Sequence, residues 1–212
     1  MQSWQDEVGN LWGRLASSNP NAKRLIIGSH LDTVPNAGAF DGILGVLLGI
    51  EIAALAHTLK LDLPFHLDVV GFCDEEGTRF ATTLIGSKAL ANEFDPQWLN
   101  IQDTNGITMR QAMLDFGLNP NDYAKAALNK NELLGYWETH IEQGPVLESV
   151  NQALGIVTAI AGAKRAMITL TGQSGHAGTT PMNLRQDSLA GCAELVTEIE
   201  KLANNAKNGE VA

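Results

Sequence analysis

Basic residues are scarce in this chain: 14 lysines and arginines stand against 24 aspartates and glutamates, for a formal charge of −10. A surface of that sign repels phosphate backbones and anionic bilayers, so nucleic acid and membrane partners are set aside. Cysteine is scarcer still. Cys73 and Cys192 lie far apart, in segments that read as a buried strand and a helix, which leaves no disulfide framework and no cysteine-rich metal cage. Long hydrophobic runs are missing too: the longest, Ile43 to Ala56, has 14 residues and includes Glu51, too short for a membrane span. The segment Met1-Gln-Ser-Trp-Gln-Asp-Glu7 has neither the basic region nor the apolar core of a secretory leader, and a cytoplasmic location is expected.

What remains is a chain of 212 residues with 44% hydrophobic content, enough for one sizeable core or for a domain plus part of another. The run Arg24 to Gly28 reads as a buried strand that delivers His30 and Asp32 at its carboxyl end, two positions apart and so on one face. A loop through Pro35, Asn36 and Gly38 follows, and Asp41-Gly42 opens a helix from Ile43 to about His57. A second strand, Phe65 to Cys73, runs directly into Asp74, Glu75 and Glu76, and a helix is expected around Gly86 to Asn92. This alternation predicts an α/β layered domain.

Residues Asn100 to Asn131 are more polar and read as a surface excursion, with short helices at Thr108 to Phe116 and Asn121 to Leu128. Gly135 to Glu142 alternates as a strand presenting His140 near its end. Two strand-like runs, Leu154 to Ala161 and Arg165 to Thr171, joined by a turn at Gly162-Ala163, precede a helix from about Asn183 to Ala203. They are expected to form part of a second, smaller α+β unit, so that residues 1–153 and 154–212 divide the chain. The tail from Asn204 is expected to fray.

Three consecutive acids at a strand's end are costly unless something positive receives them, and a divalent cation is the economical receiver. A two-metal hydrolase needs nitrogen and oxygen ligands, a bridging carboxylate and a separate base beside the attacking water. His30 and His140 suit a borderline metal, Asp41 can bridge, and of the adjacent glutamates one can coordinate while the other faces water. His57 and His66 lack partner spacing and read as structural; Arg79 receives no role.

The stretches Gly28-Ser-His-Leu-Asp-Thr-Val-Pro35, Phe40-Asp-Gly42, Asp74-Glu-Glu-Gly-Thr-Arg-Phe80, Glu138-Thr-His-Ile-Glu-Gln-Gly-Pro145 and Gly175-His-Ala-Gly-Thr-Thr-Pro-Met182 resemble the di-metal amidohydrolase family that contains allantoate amidohydrolase, N-carbamoyl-L-amino-acid hydrolase and β-ureidopropionase, related to aminoacylases and metal carboxypeptidases. The His140 block points to the carbamoyl and ureido branch, because the peptidase relatives generally carry an acidic ligand there. The resemblance implies a mixed-sheet layered catalytic domain with helices on both faces, residues 1–153, and part of a smaller α+β dimerisation or lid domain, residues 154–212. It also implies two divalent ions, zinc or manganese, with cobalt or nickel as alternatives. It implies that His30, Asp41 and His140 hold one ion and that Asp41 and Glu76 belong to the second. Glu75 is then the general base, and Asp32 orients the His30 ring. Gln143, His176 and Arg185 are implied as substrate contacts. Allantoate is the leading substrate and an N-carbamoyl amino acid the alternative, and a homodimer through the small domain is expected. The family also has a further histidine on the second ion, beyond the small domain. By that reading the chain is a fragment or truncated product, with an incomplete second site and a role limited to metal binding or dimerisation if turnover fails.

Overall fold

Two apolar runs, β3 (Arg24–His30) and β4 (His66–Phe72), lie parallel at the centre of a five-stranded sheet, with His30 opposite Phe72. The computed structural model describes residues 1–160, 162 and 165–206. Its contacts divide the chain into two compact units, Met1–Val146 and Leu147–Ala212, where the sequence suggested a division after residue 153.

In the first unit the strand order is β1-β2-β4-β3-β5, with β1 (Gln2–Gln5) and β2 (Leu11–Leu15) antiparallel to their neighbours and β5 (Leu133–Trp137) parallel to β3. The sheet is therefore mixed, as expected. Successive residues of β3 and β4 point to opposite faces. Ile27, Leu67 and Val69 pack with Ala53 of α1 (Ile43–Thr58). Ile26, Val70 and Phe72 pack on the other face with Trp12 and with Leu90 of α2 (Ile85–Leu90). Helices cover both faces.

Asp68 shares that second face and is completely buried. Its carboxylate accepts from Arg14 Nε and Nη2 at 2.6 and 2.7 Å and from Arg24 Nε at 2.6 Å. The two guanidinium groups lie over the stacked rings of Trp4 and Trp12, so the buried charge is paired and roofed by aromatic surface.

The first unit departs from the sequence reading in four places. The hairpin of β1 and β2 was not foreseen: its turn is built by Asp6, whose Oδ1 accepts the backbone amides of Val8, Gly9 and Asn10. The excursion after residue 100 is not merely surface, since Met109, Met113 and Ala126 join Val8, Phe80, Ile85, Phe94 and Leu99 in a core of their own. Its first helix is α3 (Met109–Asp115), while the expected second helix reduces to a 3-10 turn at Tyr123–Ala126. Strand β5 stops at Trp137, so His140 stands on the segment that leaves the sheet.

In the second unit, after the single-turn α4 (Val146–Ser149), neither strand-like run is a strand among the described residues. Extended backbone becomes a strand only against a ladder partner, and the side chains of Leu154, Ile156 and Ile160 stand exposed. Ala161 and Ala163 lie outside the described residues. The long helix is α5 (Ser188–Asn204), five residues later than expected at its start, because the Asp187 side chain caps it by accepting from the amides of Leu189 and Ala190.

Candidate metal centre

His30 is the last residue of β3, buried, and its Nδ1 lies 2.6 Å from the backbone carbonyl of Asp32. That carbonyl can only accept, so the neutral ring carries its proton on Nδ1 and turns the lone pair of Nε2 inward. His140 repeats the device: its Nδ1 lies 2.8 Å from the carbonyl of Ile141. The two Nε2 atoms meet at 3.3 Å, and Asp41 Oδ1 stands 3.9 Å from the first and 3.4 Å from the second.

Three potential ligand atoms thus converge. Among the described residues, Asp41 Oδ1 and Ser29 Oγ are the buried side-chain polar atoms that have no hydrogen-bond partner. An orphaned buried carboxylate oxygen beside two imidazole lone pairs is costly without a cation, so the donor set fits a divalent metal. The other oxygen, Asp41 Oδ2, accepts from Gln143 Nε2 at 3.0 Å, which aims Oδ1 at the histidines.

Glycines make this convergence possible. Gly42 has a φ of 72°, and a Cβ there would strike the His30 ring. A Cβ on Gly45 would strike the Thr139 carbonyl, so the first turn of α1 brings Asp41 and the His140 segment together. The pair Asp41-Gly42 at a helix start was visible in the sequence; the close packing that requires each glycine was not.

A second group combines His30 with Glu75 and Glu76, whose ligand atoms lie within 4.8 Å of one another. Glu76 was expected to share its ion with Asp41, and in the structure it gathers with His30 and Glu75. Both glutamates are half-buried on the loop after β4. Burial raises the Glu75 carboxyl above its ordinary range; His30 opposes the shift, while Glu76, Asp32 and Glu138 reinforce it. Asp32 acts twice: its carbonyl orients His30, and its carboxylate accepts the amides of Glu75 and Glu76 at 2.9 and 3.0 Å.

The remaining expected residues lie in the second unit. His176 Nδ1 accepts from the Gly178 amide at 3.1 Å, and Arg185 donates to the carbonyls of Ala177 and Thr180 at 2.8 and 3.3 Å. Both line a cavity of about 510 Å³ with Gln173, Ser174 and Asp187. Arg79 pairs with Asp103 at 3.0 Å, and buried His66 accepts the Ser17 amide, a structural role.

Residues 10–125, which contain His30, Asp41, Glu75 and Glu76, match the family model described as Peptidase family M28. The chain belongs to that family. Within it, the expected resemblance to carbamoyl and allantoate amidohydrolases holds. This M28 chain is 42% identical over 200 residues to the N-carbamoyl-L-amino acid amidohydrolase of Geobacillus stearothermophilus, covering 94% of this chain and 49% of that protein. It is 40% identical to the allantoate deiminase of Arabidopsis thaliana, covering 98% of this chain and 40% of the relative. A hydantoinase/carbamoylase family amidase from Burkholderia ambifaria superposes with a TM-score of 0.78 at 33% identity, over 96% of this chain and 49% of that one. The M28 chain spans about half the length of the curated relatives it matches. No helix of the described residues is long and apolar enough to cross a membrane.

Proposed function

We propose that this chain carries the metal-binding machinery of a hydrolase that cuts a linear ureido or carbamoyl C–N bond. The observation that carries the reading is the convergence of His30 Nε2, His140 Nε2 and the orphaned Asp41 Oδ1. Divalent ions, zinc or manganese with cobalt or nickel as alternatives, supply Lewis acidity there and lower the pKa of water when bound. His30, Asp41 and His140 hold one; Glu76, with His30 and Glu75 beside it, is the carboxylate toward a second.

Glu75 is the general base. Burial raises its pKa, which strengthens the carboxylate as a proton acceptor, and it takes the proton from the attacking water. As the C–N bond breaks, Glu75 returns that proton to the leaving nitrogen. Water adds to the ureido carbon, one amine departs, and the carbamate left behind splits into carbon dioxide and the second amine, one of the two being ammonia. Gln143 fixes Asp41 and is a substrate contact by the same amide. His176 and Arg185 are proposed as further contacts on their chemistry, an imidazole and a guanidinium suited to an oxyanion and a carboxylate.

The leading substrate is allantoate, and the alternative is an N-carbamoyl-L-amino acid. Relatives named for each stand at similar identity, which supports the shared ureido group rather than one acid over the other. Ammonia release measured side by side on allantoate, N-carbamoyl amino acids and β-ureidopropionate tests the reading. Turnover of any one, lowered about 10²–10⁴-fold in Glu75→Gln, is the expected result; a Glu75→Gln rate close to that of the wild type contradicts the assigned base.

A homodimer through the second unit is also proposed, supported by the exposed Leu189, Val196, Ile199 and Leu202 along α5. Sedimentation of a monomer at micromolar concentration contradicts it.

A further inference from the structure

Asn10 lies on the turn between β1 and β2, far in sequence from the glutamates, and it is 0% exposed. Its Nδ2 donates to Asp6 Oδ2 at 2.8 Å and to the Gly86 carbonyl at 3.3 Å, and its Oδ1 accepts the Cys73 amide at 3.0 Å. The orientation of this amide is unambiguous, because the Asp6 carboxylate only accepts. That carboxylate is itself fixed: Oδ1 takes three backbone amides and Oδ2 takes Trp12 Nε1 at 2.9 Å.

Cys73 and Gly86 are the two roots of the loop that carries Glu75 and Glu76. The Gly86 amide donates to the Cys73 carbonyl at 3.2 Å, so the roots touch each other, and Asn10 is bonded to both. A Cβ on Gly86 would collide with Asn10 Oδ1, which explains the glycine. Between the roots the backbone takes positive φ at Asp74 (47°), Gly77 (64°), Ala81 (52°) and Leu84 (64°), three of them non-glycine. Backbone of this kind persists only where the surroundings over-determine it. The tip is held by Asp32 and by the Leu84 amide, which donates to the Glu75 carbonyl at 2.8 Å. At the roots that task falls to Asn10.

We infer that Asn10 is a positioning residue for the metal centre: by clamping both roots of the loop it sets the carboxylates of Glu75 and Glu76 for metal binding, without touching metal or substrate itself. The inference rests on the metal reading of the site given above.

Titration of the chelator-stripped chain with Co²⁺, followed by visible absorption and calorimetry, tests it in wild type, Asn10→Ala and the milder Asn10→Ser. Leu99→Ala, a truncation in the core of the excursion, supplies a chain destabilised away from the loop. The expected result is a loss of Co²⁺ affinity of about 10–100-fold in the Asn10 variants, the range for residues that orient ligands, with an altered absorption spectrum. Leu99→Ala is expected to lower the melting temperature yet keep the wild-type affinity and spectrum. If Asn10→Ala does not fold, Asn10→Ser carries the comparison. Asn10 variants that bind Co²⁺ like Leu99→Ala overturn the clamp while leaving the metal site standing; a wild-type chain that takes up no Co²⁺ overturns the metal reading and the clamp with it.

Discussion

Asp41 shows at the scale of one residue what the site is built for. Its Oδ1 is buried, unbonded and aimed at two imidazole lone pairs, an arrangement that costs stability in the metal-free chain. Asp41→Asn removes the charge and places a donor within reach of His140, so the metal-free variant is expected to be more stable by about 1 kcal/mol. Its metal affinity should fall by more than the 10–100-fold that an outer-shell change costs. Unfolding in a chelator and calorimetry with Zn²⁺ measure the two effects, and their opposite signs distinguish a metal ligand from an ordinary core carboxylate. Glu75 gives the second residue-level expectation. A base must be unprotonated, and burial raises the pKa of this one while a bound cation opposes the rise, so activity should fall on the acid side as Glu75 takes up its proton. In Glu75→Gln the rate should drop by about 10²–10⁴-fold, with metal content nearly kept; lost metal instead marks Glu75 as a ligand. The cysteines separate as cleanly. Burial pushes the Cys73 thiol up to about 12, with Asp6, Asp74 and Asp32 adding to the shift, and its Sγ bonds to the Val8 carbonyl, whereas Cys192 is exposed. A thiol reagent at neutral pH should label one cysteine quickly and the second only on unfolding.

Elements that bury a continuous apolar run were legible in the sequence. Strands β3 and β4 and helix α1 stand where their hydrophobic patterns placed them, within two residues. The hairpin of β1 and β2 was not legible, because its short strands depend on the Asp6 turn and on β4, with Trp4 stacked on Trp12. In the excursion, Met109 and Met113 sit four apart on one face of α3, but their polar neighbours obscured the stripe. The runs at 154–161 and 165–171 have β-rich composition, and composition does not supply a ladder partner. Asp68 on β4 is another element-level feature hidden in sequence, where a lone acid in an apolar strand carries no sign of its two arginines. Replacing it with Asn should destabilise the fold by about 3 kcal/mol in urea titration, since the paired charges lose their counter-ion. A loss under about 1 kcal/mol would mean that the arginines are solvated in the variant.

For the molecule as a whole, the candidate ligands His30, Glu75, Glu76 and His140 could be singled out in the sequence because they stand at or just beyond strand ends, where ligands of layered α/β sheets gather. Less legible was their mutual arrangement: that Asp32 serves His30 by its carbonyl and the glutamates by its carboxylate follows only from the folded loop. The ureido chemistry, the base and the clamp at Asn10 all depend on one claim, that His30, Asp41 and His140 close around a cation. Crystals grown with Zn²⁺ and measured at the zinc absorption edge test it most directly. The account predicts an anomalous peak bounded by His30 Nε2, His140 Nε2 and Asp41 Oδ1. Zinc bound elsewhere, with no peak between those three atoms, would contradict it.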